Sequence, residues 1–222
     1  MNEDPNALKS FGGTARLFPL PSLVMFPHAL QPLHVFEPRY RRMTADTLAA
    51  DRLIAPVLLK PGWEKDYDDR PAVEKVACLG RVVAHHQLPD GRYNLLVRGL
   101  SRVRLVEEID SAKPYRTARV ELLPDVPPPV TPQLGEWRRR LSELVLPRLS
   151  GSEPARGQLR QLFHSDLPLG ALCDILAFAL PLPLDCKQAL LEEPDVRARV
   201  YLLLDRLRPR KARAFPPGFS PN

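Results

Sequence analysis

Few residues in this chain of 222 have types and spacings that could do chemistry. His85 and His86, in RVVAHHQL, are the first candidates for a metal site or a proton-transfer base. The run alternates like a strand, so neighbours point to opposite faces and the pair cannot converge on one ion. Val82, Ala84, His86 and Leu88 share the apolar face, which makes His86 a core histidine and leaves His85 on the surface. Zinc normally gathers about four nitrogen or sulfur ligands, and Cys78 alone does not supply the rest. Cys173 and Cys186 form no C-x-x-C pair and read as small buried hydrophobes. Asp66, Asp68 and Asp69 cluster without the glycine and glutamate spacing of a calcium loop, and read as a solvated loop. Neither G-x-S-x-G nor H-E-x-x-H occurs. A phosphate-binding loop needs Gly-Lys-Ser/Thr, and no glycine here is followed by lysine. No catalytic residue, metal ligand or cofactor is assigned, and a non-enzyme is expected.

What remains is binding chemistry. FEPRYR, residues 36–41, brings Phe36, Arg39, Tyr40 and Arg41 together at a turn into a helix, with Arg42 next. Aromatic and guanidinium groups are enriched at binding hot spots. The competing reading is that Phe36, Tyr40 and Met43 anchor a short helix on the sheet, since short helices persist through tertiary packing. The second group is PGWEKDYDDRP, residues 61–71, where Trp63 and Tyr67 sit in an otherwise charged loop. Such aromatics either plug a gap in the core or meet a partner.

These residues need elements to hold them. Leu17 to Val35 mixes apolar residues with Pro19, Pro21, Pro27 and Pro32, and reads as two short strands with bends. Glu37-Pro38 then caps and opens a helix. Arg52 to Lys60 is apolar enough for a buried strand, with Pro56 implying an edge or a bulge. Gly80 to Leu122 reads as antiparallel sheet, turning at Asp90-Gly91. Gly99 is expected to end one strand, with Val103 to Ile109 a third and Ala118 to Leu122 a fourth.

Pro124 to Pro132 is a composition break that reads as a semi-rigid linker. Beyond it the period becomes helical. Leu134, Trp137, Leu141, Leu144 and Val145 make one face, and Leu169, Leu172, Cys173 and Leu176 a second. Val196, Val200, Leu203, Leu204 and Leu207 make a third. The expected organisation is a disordered N-terminus over 1–13, a β-rich unit over 14–123, a linker over 124–132, a helical unit over 133–208, and a basic, proline-rich tail over 209–222 expected to stay mobile.

The formal charge is +6, and removing Arg208, Arg210, Lys211 and Arg213 leaves +2. The basic character therefore belongs mostly to the tail. No apolar run reaches the roughly 18 residues of a membrane span, so no membrane partner is expected. The polar start lacks an apolar leader, and three scattered cysteines suit a reducing compartment, so a cytoplasmic location is expected.

Four blocks in order carry a family resemblance. They are Leu17 to Arg42, CLGRVV at 78–83, LPDGRYNLLVRGLSRVRL at 88–105, and LPLPLDCKQALLEEPDVRARVYLLLDRL at 180–207. Together they resemble the N-terminal, substrate-binding domain of the ATP-dependent protease Lon, in the variant of free-standing bacterial proteins. The resemblance covers about residue 14 to about residue 208. It implies an α+β fold, a PUA-like β pseudo-barrel followed by an α-helical bundle. It departs at Pro183, where a helix-capping serine is common and proline offers no side-chain acceptor.

The resemblance also implies a stand-alone module that captures unfolded or specific polypeptides, without the ATPase and peptidase that follow in full Lon proteases. Phe36, Arg39, Tyr40, Arg42, Trp63 and Tyr67 are the expected contacts, bordering one cleft between the β and α halves. RNA binding is the alternative, since PUA-like folds serve it elsewhere and Arg92, Arg98, Arg102 and Arg104 lie on or near the hairpin. Glu107, Glu108 and Asp110 follow at once, so nucleic acid is disfavoured. A small-molecule pocket ranks last. Nothing in the sequence sets an oligomeric state.

Overall fold

The computed structural model describes residues 8, 11–66, 69–129, 133–148 and 153–208. The expected N-terminal and C-terminal tails and the end of the linker lie largely outside them. One long strand, β5 (Tyr93–Ile109), places most of the β half. It pairs antiparallel with β4 (Val76–Gln87) after the turn at Asp90-Gly91. Its first part, Tyr93 to Arg98, also pairs with β2 (Leu30–Val35). Its second part, Arg102 to Ile109, pairs with β6 (Thr117–Leu123). On the far side of β4 lies β3 (Leu53–Leu58), then β1 (Thr14–Leu20), parallel to β3 and antiparallel to β6. The ring β5–β4–β3–β1–β6–β5 therefore closes into a small barrel, with β2 added to one end of β5.

Strand alternation then divides the apolar residues. Leu17, Leu53, Ala55, Val57, Ala77, Leu79, Val103 and Val120 belong to a buried cluster contributed by all five barrel strands. Phe18, Ile54, Leu58, Val76 and Cys78 take the other face and join a larger cluster with the helices. β3 is buried at every position because both of its faces are covered. Pro56 lies where β3 pairs with β1, past the short β3–β4 ladder, so its missing donor is tolerated.

Two sequence expectations change here. Gly99 does not end a strand, and β5 runs through it. Its lack of a side chain instead admits the Phe26 carbonyl, which a Cβ would overlap. His86 is not a core residue. A bulge between Val82 and Ala84 shifts the ladder, and everything from Val83 to Gln87 is exposed.

Helix α1 (Pro38–Leu48) opens as expected, with Glu37 as N-cap and Pro38 in the first turn. The Glu37 carbonyl accepts the first bonds, from Tyr40 N–H at 3.0 Å and Arg41 N–H at 2.9 Å. The later helices are α2 (Gln133–Val145), α3 (Glu153–His164), α4 (Leu169–Ala179), α5 (Leu184–Glu192) and α6 (Val196–Leu207). The three apolar stripes fall on α2, α4 and α6, where Leu141, Leu172 and Val200 are fully buried. Trp137 of α2 meets Tyr201 of α6 edge to face at 5.9 Å. Pro183 caps α5 through its backbone carbonyl, accepting Lys187 N–H at 2.9 Å, with no side-chain cap.

Barrel and helices share one apolar cluster and a set of buried polar ties. Val126, inside the proline-rich stretch, bridges to Asp195 as a parallel strand would. Gln188 of α5 donates to the Val76 carbonyl of β4 at 3.0 Å. Arg102 of β5 donates through Nε to the Leu191 carbonyl at 2.9 Å. The same guanidinium holds both oxygens of Asp174 on α4 and reaches Asp125 at 3.0 Å. Arg199 of α6 completes the group, bonding Asp174 at 2.9 Å and Asp125 at 2.6 Å. Two guanidinium and two carboxylate groups thus neutralise one another, with Arg102, Arg199 and Asp174 buried and Asp125 partly exposed.

Candidate functional site

The ties at Gln188 and Arg102 fix α5 against the barrel and leave a cleft beside it. The cleft has a volume of about 410 Å³. Its barrel wall is Pro21, Leu58, Leu59, Pro61 and Trp63, and its helix wall includes Leu184 and Ala189. Three carboxylates, Glu74, Asp185 and Glu192, rim it, and among the described residues no lysine, arginine or histidine lines it. Trp63 is half-buried and opens a single 3-10 turn, Trp63–Asp66, after Gly62 with φ of 90°. The base of this loop is pinned by Lys60 N–H to the Ala72 carbonyl at 2.8 Å and Glu74 N–H to Leu58 at 2.9 Å. Tyr67 lies outside the described residues, as does Asp68.

The FEPRYR turn is resolved into two roles. Tyr40 is buried, its ring 4.6 Å from that of Phe18, and Met43 is buried beside it. They anchor α1, so Tyr40 takes no surface position. Phe36 is 59% exposed, its ring stacked 6.2 Å from His34. His34 is oriented by Asn94, 2.7 Å from its Nδ1. Arg39 pairs with Glu37 at 2.9 Å and lies over the Tyr40 ring at 4.9 Å. Arg42 pairs with Asp46 at 3.1 Å. Asp46 also accepts from Lys113 Nζ and Tyr115 Oη, both at 2.7 Å. The Lys113 bond, then the Tyr115 bond, hold its carboxyl below the usual carboxylate range.

The single cleft expected from the sequence does not hold for Arg42 and Trp63, which line different hollows. Pro38, Arg41, Arg42, Gly91 and Tyr93 line a hollow of about 360 Å³ by the β4–β5 turn, whereas Trp63 lines the cleft at α5. The α5 wall was missed, although Leu184 and Asp185 beside Pro183 mark a helix start that projects at the surface.

Two of the four arginines that suggested RNA, Arg92 and Arg102, are committed elsewhere, and the neighbouring Arg119 and Arg116 are paired as well. Arg102 is buried, Arg92 pairs with Asp90 at 2.6 Å, and Arg119 pairs with Glu107 at 3.1 Å. Arg116 is bound by Glu108. Cys78, Cys173 and Cys186 are all buried and unpaired. Burial pushes the Cys173 thiol up to about 12 and raises Cys78 as well. Among the described residues, no group of three or more histidine, cysteine or acidic side chains could hold a metal, and no helix is long and apolar enough to cross a membrane.

A six-stranded mixed sheet closed into a barrel, with helices packed on one side, defines an α+β domain with a cleft at the seam. The chain belongs to the family of the ATP-dependent protease La (LON) substrate-binding domain, whose model matches residues 14–208. It is 30% identical over 194 residues to Lon protease 2 of Sorangium cellulosum and 28% identical over 194 residues to Lon protease 2 of Myxococcus xanthus. These matches cover 85% and 86% of this chain but 24% and 23% of those proteins. The chain thus spans about a quarter of the length of the curated relatives it matches. Among solved structures it is similar to a Lon N-terminal domain protein from Xanthomonas campestris, with 25% identity and a TM-score of 0.63, over 86% of this chain and 97% of that one. The N-terminal domain of a Mycobacterium avium complex Lon protease, 15% identical, shares the fold at a TM-score of 0.68, over 87% of this chain and 97% of that one.

Proposed function

We propose that this chain is a non-catalytic module that captures polypeptide segments with exposed apolar side chains, acting as an adaptor or binder without ATP hydrolysis or peptide cleavage of its own. The observation that carries this reading is the cleft at α5. Its volume of about 410 Å³ lies within the range of binding clefts. Its floor is apolar, and its walls are held by buried hydrogen bonds rather than by loop contacts alone. Trp63 offers a large flat surface at low entropic cost, as binding anchors do. Family membership supports the class of ligand. Phe36, Arg39 and Arg42 form a second surface that we assign to contacts with a longer segment. The buried unpaired cysteines suit a cytoplasmic setting.

Fluorescence anisotropy with a permanently unfolded, carboxymethylated model protein tests the reading. Trp63→Ala should weaken binding by about 1–2 kcal/mol, roughly 5- to 30-fold. Leu184→Asp, on the exposed helix wall, should weaken it comparably with the fold intact by circular dichroism. The reading fails if Leu184→Asp and a folded Trp63→Ala both bind as the parent does.

A further inference from the structure

The α5 cleft has a chemical polarity that capture of apolar segments alone does not require. Its rim carries Glu74, Asp185 and Glu192, with no cation among the described residues that line it. The loop that bears Trp63 carries Glu64 and Asp69 beside Lys65 and Arg70, and Arg70 is turned to Asp110 at 3.6 Å. An apolar floor inside a carboxylate rim fits a segment that alternates basic with apolar residues. The chain contains such a segment. From Pro209 it reads PRKARAFPPGFSPN, with Arg210, Lys211 and Arg213 ahead of Phe215, Pro216, Pro217 and Phe219. No acidic residue follows Asp205.

The fold delivers this segment to the cleft. α6 packs against α5, and the helices run back on each other through the short turn at Glu193 to Asp195. The end of α6 therefore returns to the start of α5. Burial raises the Cys186 thiol, and Arg206 lies close enough to oppose that shift. Leu184 and Asp185, at that same end of α5, line the cleft. Fourteen residues, 209–222, reach up to about 46 Å when extended, well beyond the length of the nine-residue helix α5. The prolines favour an extended conformation suited to stacking on an aromatic-lined groove.

We infer that residues 209–222 occupy the α5 cleft in cis, with Arg210, Lys211 and Arg213 on its carboxylate rim and Phe215 to Phe219 against Trp63, Leu58 and Leu184. This rests on the capture reading and adds its regulation: the segment competes with incoming polypeptide. A short tether gives an effective concentration of about 1 mM, so a segment that binds in trans at about 100 μM masks the cleft roughly tenfold.

The test uses the full chain and the carboxymethylated probe. The variant Arg210→Glu/Lys211→Glu/Arg213→Glu should bind the probe roughly tenfold tighter than the parent. Phe215→Ala/Phe219→Ala should move in the same direction. A synthetic peptide of residues 209–222 should compete with the probe on the charge-reversed chain, and Trp63→Ala should weaken that peptide. The inference is overturned if the charge-reversed chain binds the probe as the parent does and the peptide fails to compete at about 1 mM. It is also overturned if the peptide binds the Trp63→Ala chain undiminished. Either result leaves Trp63-dependent capture standing, whereas loss of that dependence in probe binding defeats the capture reading itself.

Discussion

Arg102 of β5 and Asp174 of α4 stand 72 residues apart in sequence and meet as a two-pronged ion pair inside the seam between barrel and helices. Both are essentially removed from solvent, at 2% and 0% exposure. Arg199 also bonds Asp174, at the Oδ1 that Arg102 Nη2 holds, so the carboxylate balances two guanidinium groups with help from Asp125.

Removing the shared carboxylate should therefore be severe. Asp174→Ala leaves two buried cations undercompensated and should cost about 3–5 kcal/mol of stability. Urea denaturation measures it. Replacing the Arg102–Asp174 pair together, as Arg102→Met/Asp174→Leu, should cost less than the sum of the single changes, because each single change strands a partner.

Asp46 gives a pH dependence with a definite sign. Its folded pKa is lowered by the bonds from Lys113 and Tyr115. A lowered carboxyl contributes stability above its unfolded pKa, about 3.9, and loses it as pH falls through the folded value. The stability gap between the parent and Asp46→Asn should be flat above about pH 5 and close below about pH 4. A gap that widens on acidification would contradict the assignment.

Two glycines should respond oppositely to alanine. Gly99→Ala drives a methyl into the Phe26 carbonyl, backbone that cannot swing away, and should cost about 3 kcal/mol. Gly135, in α2, has open space where its Cβ would be. Gly135→Ala should gain about 0.5–1 kcal/mol from helix propensity. Chemical denaturation of both variants reads the contrast.

Thiol reactivity should report unfolding. Cys78 and Cys173 are fully buried with raised pKa values, so neither offers thiolate at pH 8. A disulfide reagent should label them only as urea unfolds the chain. Rapid labelling of the native protein at these positions would show that the seam opens on its own.

Much of this fold was readable because period and burial agree. β3 announces itself as LIAPVL, apolar at successive positions because both faces are covered. The stripes on α2, α4 and α6 survive intact. β5 was misread at Gly99 because a glycine needed for close approach looks the same in sequence as one that ends a strand. His86 was misplaced because a bulge resets alternation without a residue signature. The ion network links residues far apart in sequence, which no local pattern reports. Its one trace is Asp174, a lone carboxylate within the apolar LGALCDILAFA. At the candidate site, Trp63 was visible as an aromatic in a charged loop, but its partner wall, α5, is supplied by a segment more than 120 positions later.

The closure of the barrel also sets an order in time. Of the described strands β1 is made first, and one of its edges is filled by β6, which begins at Thr117. A ribosome working at about 5–20 residues per second needs roughly 5–20 s to deliver that strand after Leu20 has emerged. Throughout this interval the nascent chain presents an unpaired β edge beginning at Thr14, a template for any extended segment nearby. The growing polypeptide thus passes through a state in which it is itself a candidate for the chaperones that guard unfinished proteins.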